Sequence, residues 1–203
     1  MVVLAHATGL RQSELLGVRW TDLDLDTRIL RFTTQYGRDG ILREPKTTAG
    51  LRVLTLPQST IDVLVAHRRE QELERAAAVD WEDWGLVIAT RTGRPVNHAN
   101  ARRSWSRILR TAGVDHRGIH HLRHAYVTML AEQGVHERVA QQLAGHADAR
   151  MTREIYTPRH RADVRGCRHR HLAGRRRHLR VQRRREWVQW VQRSGNWVQE
   201  MGP

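Results

Sequence analysis

The 203-residue chain carries a formal net charge of +14, with 39% hydrophobic and 28% charged residues, a length that allows one ordinary domain with a real core, with or without a tail. A single cysteine, Cys167, excludes an internal disulfide framework and suits a reducing compartment. With no signal peptide, long apolar run or lipidation motif, the basic excess favours nucleic acid over a membrane as partner, and a cytoplasmic, nucleoid-associated protein is expected.

The charge is uneven. Residues 1–158 hold 22 Lys+Arg against 18 Asp+Glu, a balance of +4, whereas residues 159–203 hold 13 Arg against 3 acids, a balance of +10. A boundary near Pro158 follows, with a folded domain at 1–158 and a basic segment at 159–203.

In chain order, residues 1–7 read as the end of an apolar helix with no start signal before it, so the chain is expected to begin inside a domain. Ser13 is placed to cap a helix running through Glu14, Leu15, Leu16 and Val18, which sets Arg11 just ahead of a positive helix end. Residues 27–33, 41–46 and 51–56 are rich in β-branched and apolar side chains and are separated by turn signals at 37–40 and 48–50, predicting three short strands. Lys46 falls at a hairpin edge. A long helix is predicted over 58–78, with Arg68, Arg69, Glu70, Glu72, Glu74 and Arg75 forming a solvated face.

Residues 86–89 predict a short buried strand, and Gly93-Arg94-Pro95 turns the chain into a helix over about 97–112. Arg102, Arg103, Arg107 and Arg110 lie on that helix, and Arg103, Arg107 and Arg110 share one side. They are candidates for phosphate-backbone contact, with a plain solvated face as the alternative. The run His120-His121-Leu122-Arg123-His124 opens an amphipathic helix that ends at Gly134, and residues 135–143 give a second, ending in Gly145. Gly145-His146 and Thr152-x-x-x-Tyr156 follow. Beyond Pro158 apolar periodicity fades, an Arg/His-rich run spans 165–185, and Trp-Val-Gln occurs three times from 187 to 199. This segment lacks the aliphatic content to offset its ordering entropy and is expected to be disordered or irregular, either a DNA-holding arm or the product of out-of-frame reading.

The residue types in the second half suit phosphoryl transfer on nucleic acid. Arg123 can bind a phosphodiester in a bidentate way, His120 and His146 can hydrogen-bond or move protons around it, and Tyr156 offers an oxygen able to form an ester with phosphorus. The HxLRH, Gly-His and Tyr set between 119 and 157 resembles the catalytic domain of tyrosine recombinases, the phage-integrase class of DNA strand exchangers. Upstream, Thr8-Gly9-Leu10-Arg11-Gln12-Ser13-Glu14-Leu15 resembles the family's TGLRxSEL segment. Pro45-Lys46-Thr47, followed by Arg52-Val53-Leu54-Thr55-Leu56-Pro57, resembles its lysine-bearing hairpin, and Lys46 is the only lysine in the chain.

The resemblance implies a mainly helical α+β catalytic domain with a small three-stranded antiparallel sheet, acting on double-stranded DNA as a homo-oligomer, a tetramer on paired sites. It implies catalytic roles for Arg11, Lys46, His120, Arg123, His146 and Tyr156, with Glu14 supporting Arg11. Arg11 and Arg123 would hold the non-bridging oxygens, His120 would handle the phenol proton, His146 would donate to a phosphate oxygen, and Lys46 would protonate the 5′ leaving oxygen. No metal and no cofactor is expected; Cys167, His169, His171 and His178 fit no closed zinc spacing. At His121 the family usually has an acidic residue. His124 reads as a structural hydrogen-bonding residue and Tyr126 as a packing one. The family plan also includes an N-terminal core-binding domain, so the chain is expected to be an N-terminally truncated catalytic domain. The readings that compete with strand exchange are a catalytically silent DNA-binding remnant, a type IB topoisomerase-like enzyme, and a nucleic-acid packaging protein driven by the arginine tail.

Overall fold

A computed structural model of the chain describes residues 1–45, 52–146 and 148–156. Lys46 and the basic tail, with its candidate zinc ligands, lie outside the described residues. The elements run α1 (Val2–Thr8), α2 (Gln12–Leu16), a 3-10 turn (Trp20–Asp22), β1 (Leu23–Asp24), β2 (Ile29–Phe32), β3 (Gln35–Tyr36), β4 (Leu42–Arg43), β5 (Arg52–Thr55), α3 (Gln58–Ala77), α4 (His98–Thr111), α5 (His120–Glu132), α6 (Glu137–Ala144) and α7 (Ala149–Tyr156). The domain is α+β and mainly helical, as expected.

The sheet is three-stranded and antiparallel, in the order β1-β2-β5, with Leu30 opposite Leu54 and Phe32 opposite Arg52. Its membership differs from the sequence expectation. The strand expected at 41–46 pairs as β4 with β3 in a separate two-stranded ribbon, and β1 takes the third place in the sheet. Two side-chain bonds redirect the chain after β2: Thr33 Oγ1 donates to Asp22 Oδ1 at 2.6 Å and Thr34 Oγ1 to the Gly17 carbonyl at 2.6 Å. β3 then crosses Gly17 so closely that a Cβ there would lie 2.6 Å from the Gln35 Cα. The expected strand at 86–89 is present only as two isolated bridges, Arg19 with Leu86 and Ala89 with Pro95.

Helix faces follow their sequence periods. α4 buries Ala101, Trp105 and Leu109, spaced four apart, and its cap is Asn97, whose side chain accepts from the Ala99 amide at 2.7 Å. α3 buries Ile61, Leu64 and Gln71, while its predicted charged face is exposed. The main core joins α1, α2, the sheet, α3 and α4 with Leu122 of α5. A second cluster of Tyr126, Val127, Leu130, Ala140 and Ala144 carries Ile155 and Tyr156 of α7 against it. α5 touches both clusters, so its residues link the N-terminal motif to the C-terminal one.

Candidate active site

The Thr8-Gly9-Leu10-Arg11 turn is built by contacts specific to each residue. Thr8 is buried and donates its hydroxyl to the Leu4 carbonyl at 2.6 Å, closing α1. Gly9 has φ +62, and a Cβ there would overlap the Tyr126 ring, so both backbone and space require glycine. Arg11, not Ser13, occupies the N-cap of α2, with Ser13 inside the first turn. The cap works through Glu14, whose Oε2 accepts from the Arg11 amide at 2.8 Å while its Oε1 accepts from Arg11 Nη1 at 2.9 Å. Arg11 Nη2 donates to the Gly145 carbonyl at 3.0 Å, across 134 residues of sequence.

Arg123 reaches the same place from α5. It is 2% exposed. Its Nη1 donates to the Gly9 carbonyl at 2.8 Å and its Nε to His146 Nε2 at 3.0 Å, while Nη2 is buried without a hydrogen-bond partner. An arginine Nε–H can only donate, so His146 Nε2 carries a lone pair and Nδ1 carries the proton, donated to Thr152 Oγ1 at 2.8 Å. Both ring nitrogens are thus engaged by the protein, and His146 here orients Arg123 instead of offering the expected donor to phosphate. Burial first, and the Arg123 charge second, lower its pKa to about 4, which keeps the imidazole neutral at physiological pH. Burial and the neighbouring Arg11 also draw the Arg123 guanidinium down, to about 9, against the opposing pull of Glu14, and it stays charged at neutral pH.

One residue of this network was not among the sequence candidates. Arg52 stands on the inward face of β5, where the alternation Arg52-x-Leu54-x-Leu56 should place an apolar side chain. Its guanidinium lies 5.4 Å from the Phe32 ring centroid, donates from Nη2 to Glu14 Oε2 at 2.7 Å, and donates from Nη1 to the Ala144 carbonyl. That same alternation was the signal available to find it. Glu14 is therefore surrounded by Arg52, by Arg11 and, at 3.9 Å, by Arg123. Burial pushes its carboxyl upward, but Arg52 and then Arg11 outweigh this and hold its pKa below the ordinary value. Three guanidiniums around one carboxylate leave two positive charges for an external anion.

His120 is the first residue of α5. Its ring stands edge-on to His124 with centroids 4.9 Å apart, and desolvation, then the charges of His124, Arg123 and Arg11, lower its pKa. His121 is exposed, with Nδ1 3.2 Å from the Gly118 carbonyl. Tyr126 packs in the second core cluster, as expected. Tyr156 ends α7 against that cluster, and its hydroxyl is buried without a hydrogen-bond partner. The arginine field expected to assist its ionisation does not govern it in this conformation. Burial and then Glu137 raise its pKa. On α4, Arg102, Arg103, Arg107 and Arg110 are exposed and line an open trough of about 580 Å³. Among the described residues no cluster of His, Cys, Asp and Glu is arranged to hold a metal ion, and no helix is long and apolar enough to cross a membrane.

Two arginines from opposite ends of the domain thus converge beside the Gly-His turn. Residues 1–162 match the Phage integrase family, and the chain belongs to it. A tyrosine recombinase XerC-like protein of Caldanaerobacter subterraneus subsp. tengcongensis is 34% identical over 173 residues, covering 77% of this chain and 44% of the relative. An integrase of Streptomyces ambofaciens is 32% identical over 165 residues, covering 76% of this chain and 42% of the relative. The chain spans less than half the length of these relatives. Among solved structures, a Tn1549 transposon integrase variant in complex with transposon right end DNA superposes with a TM-score of 0.67 at 22% identity, over 80% of this chain and 56% of that one. The XerA recombinase gives 0.63 at 20% identity, over 83% and 56%. Both likenesses show the fold.

Proposed function

We propose that this domain cleaves and rejoins double-stranded DNA at specific sites through a covalent 3′-phosphotyrosine. The observation that carries the reading is the buried Arg123 fork, fixed on two sides by Gly9 and His146 with Nη2 left unpartnered, beside the half-exposed Arg11 guanidinium. Two guanidiniums set in this way suit the two non-bridging oxygens of one phosphodiester, whose charge grows as the pentacoordinate state forms. Their placement is rigid because each is hydrogen-bonded to backbone from the other motif.

In the proposed step the Tyr156 oxygen attacks phosphorus and its proton passes to His120. The bond to the 5′ oxygen breaks, and Lys46 supplies the proton that this leaving oxygen needs. The ester retains the energy of the phosphodiester, so a 5′-hydroxyl from another strand can reverse the step and complete the exchange. The chemistry as written balances without a metal or cofactor. The stowed Tyr156 side chain must swing out of the second cluster to reach phosphorus. Arg103, Arg107 and Arg110 are assigned to the DNA backbone, and paired sites held by a homotetramer would supply the second strand.

A second reading, DNA binding without cleavage, is favoured by one observation, the buried and unpartnered Tyr156 hydroxyl. A pool of nicked duplexes of randomised sequence, run with the protein on a denaturing gel, separates the two. The proposal predicts a covalent protein-DNA band that is absent with Tyr156→Phe. DNA retention without any band would leave the binding-only reading.

A further inference from the structure

The two halves of the site are joined by a side chain that neither half contains. Arg52 is 8% exposed and sits at the start of β5, a few residues after Lys46 in sequence. One of its terminal nitrogens is bound to Glu14, the carboxylate that caps α2 and grips Arg11. The other is bound to the carbonyl of Ala144, the last residue of α6. The next residue, Gly145, accepts Arg11 at its own carbonyl, and the one after that is His146, which holds Arg123. Gly145 has φ +63, and a Cβ there would collide with Arg52 Nη1. Glycine at this turn therefore meets a left-handed backbone and makes room for the Arg52 guanidinium.

We infer that Arg52 is a positioning residue for strand cleavage, fixing Arg11 through Glu14 and the Gly145-His146 turn through the Ala144 carbonyl, so that both phosphate-binding arginines are held in one register. The inference rests on the strand-transfer reading above. Its physical basis is the planar fork: only a guanidinium can address the carboxylate and the carbonyl at once, with Ala144 92 residues away in sequence. A lysine at the same place can satisfy the charge of Glu14 but cannot span both acceptors. Arg52 touches no reacting atom in this scheme.

Three variants test it, Arg52→Met, Arg52→Lys and Gly145→Ala, each read by single-turnover formation of the covalent adduct at saturating DNA, with affinity measured separately. Misplacing a catalytic group by about 1 Å costs roughly 100-fold. Arg52→Met is therefore expected to slow cleavage by roughly that factor, with affinity changed less than about threefold, a separation that global loss of structure does not give. Glu14 in Arg52→Met faces Arg11 and, farther off, Arg123, with His146 behind it. Its proton then competes with Arg11, so the cleavage rate gains a second acid-side fall, beside the one that protonation of His120 gives the unaltered protein. Arg52→Lys restores the pH profile but not the full rate, and Gly145→Ala, which keeps the Arg52 charge while displacing its fork, slows cleavage without the new acid limb. If Arg52→Met does not fold, Arg52→Lys and Gly145→Ala still decide. Full cleavage rates in both would overturn the inference while leaving the strand-transfer reading intact. No adduct from the unaltered protein would overturn the reading and the inference together.

Discussion

Replacing Glu14 with glutamine changes one oxygen to an amide nitrogen at the centre of the arginine cluster and tests whether that carboxylate holds the site together. Glu14 is 4% exposed. Oε2 accepts from the Arg11 amide and Arg52 Nη2, and Oε1 accepts from Arg11 Nη1. A glutamine turned to keep its oxygen at the first position places its amide N–H₂ against Arg11 Nη1, donor against donor. Arg11 then loses its anchor, and Arg52 keeps a bond but no counter-charge. Removing one member of a buried ion pair costs about 3–5 kcal/mol. For a domain of this size each kcal/mol moves Tm by about 2–4 °C, so a drop of roughly 10 °C is expected. Urea denaturation at neutral pH should show a lower midpoint with an unchanged slope. Sulfate should restore stability to Glu14→Gln more than to the unaltered protein, because an anion at the cluster replaces the missing charge. A loss below about 1 kcal/mol, the size of an ordinary neutral hydrogen bond, would refute the reasoning.

Tyr156→Phe removes a buried hydroxyl with no partner, so the variant should be as stable as the unaltered protein or more stable by about 1 kcal/mol in the same denaturation assay. A clear loss of stability would show that the hydroxyl is bonded. His146 has a folded pKa of about 4 against an ordinary 6.5. The unfolded chain therefore binds the extra proton first, and the stability His146 contributes is complete above pH 6.5 and is lost as pH falls toward 4, by up to about 3 kcal/mol. The difference in unfolding free energy between the unaltered protein and His146→Asn should shrink over that window, and a difference independent of pH would contradict the neutral ring. Changing Arg103, Arg107 and Arg110 together to serine should flatten the slope of log affinity against log salt by about 0.9 for each phosphate that these arginines neutralise. An unchanged slope would make that face a solvated one.

The sequence located most helices because their apolar periods and end signals are local: Asn97 and Gly145 bound helices about where they were expected. Gly9, Arg11, Arg123 and His146 were legible because a motif of fixed spacing surrounds each. The sheet was less so. β1 is two residues long and owes its existence to the partner it meets, and β4 left the sheet because Thr33 and Thr34 turn the chain over Gly17. Such tertiary choices leave no periodic trace. Arg52 was missed for a different reason, since an arginine in a strand reads as exposed unless its inward register is counted against Leu54 and Leu56. The conformation of Tyr156 was also out of reach, because its setting identifies the residue but not whether its hydroxyl faces the arginines or the apolar cluster. His146 was expected to donate to a phosphate oxygen, and the bond that it accepts from Arg123 was not legible, because the direction of the ring's hydrogen bonds depends on Thr152, six residues on.

Peptide mass mapping of the adduct recovered from the nicked-duplex pool decides whether Tyr156 becomes covalently bound to DNA phosphate. After nuclease trimming, a nucleotide mass is expected on the peptide containing Tyr156, attached through its 3′ phosphate. A nucleotide on any other residue, or cleaved DNA with no protein attached, would contradict it.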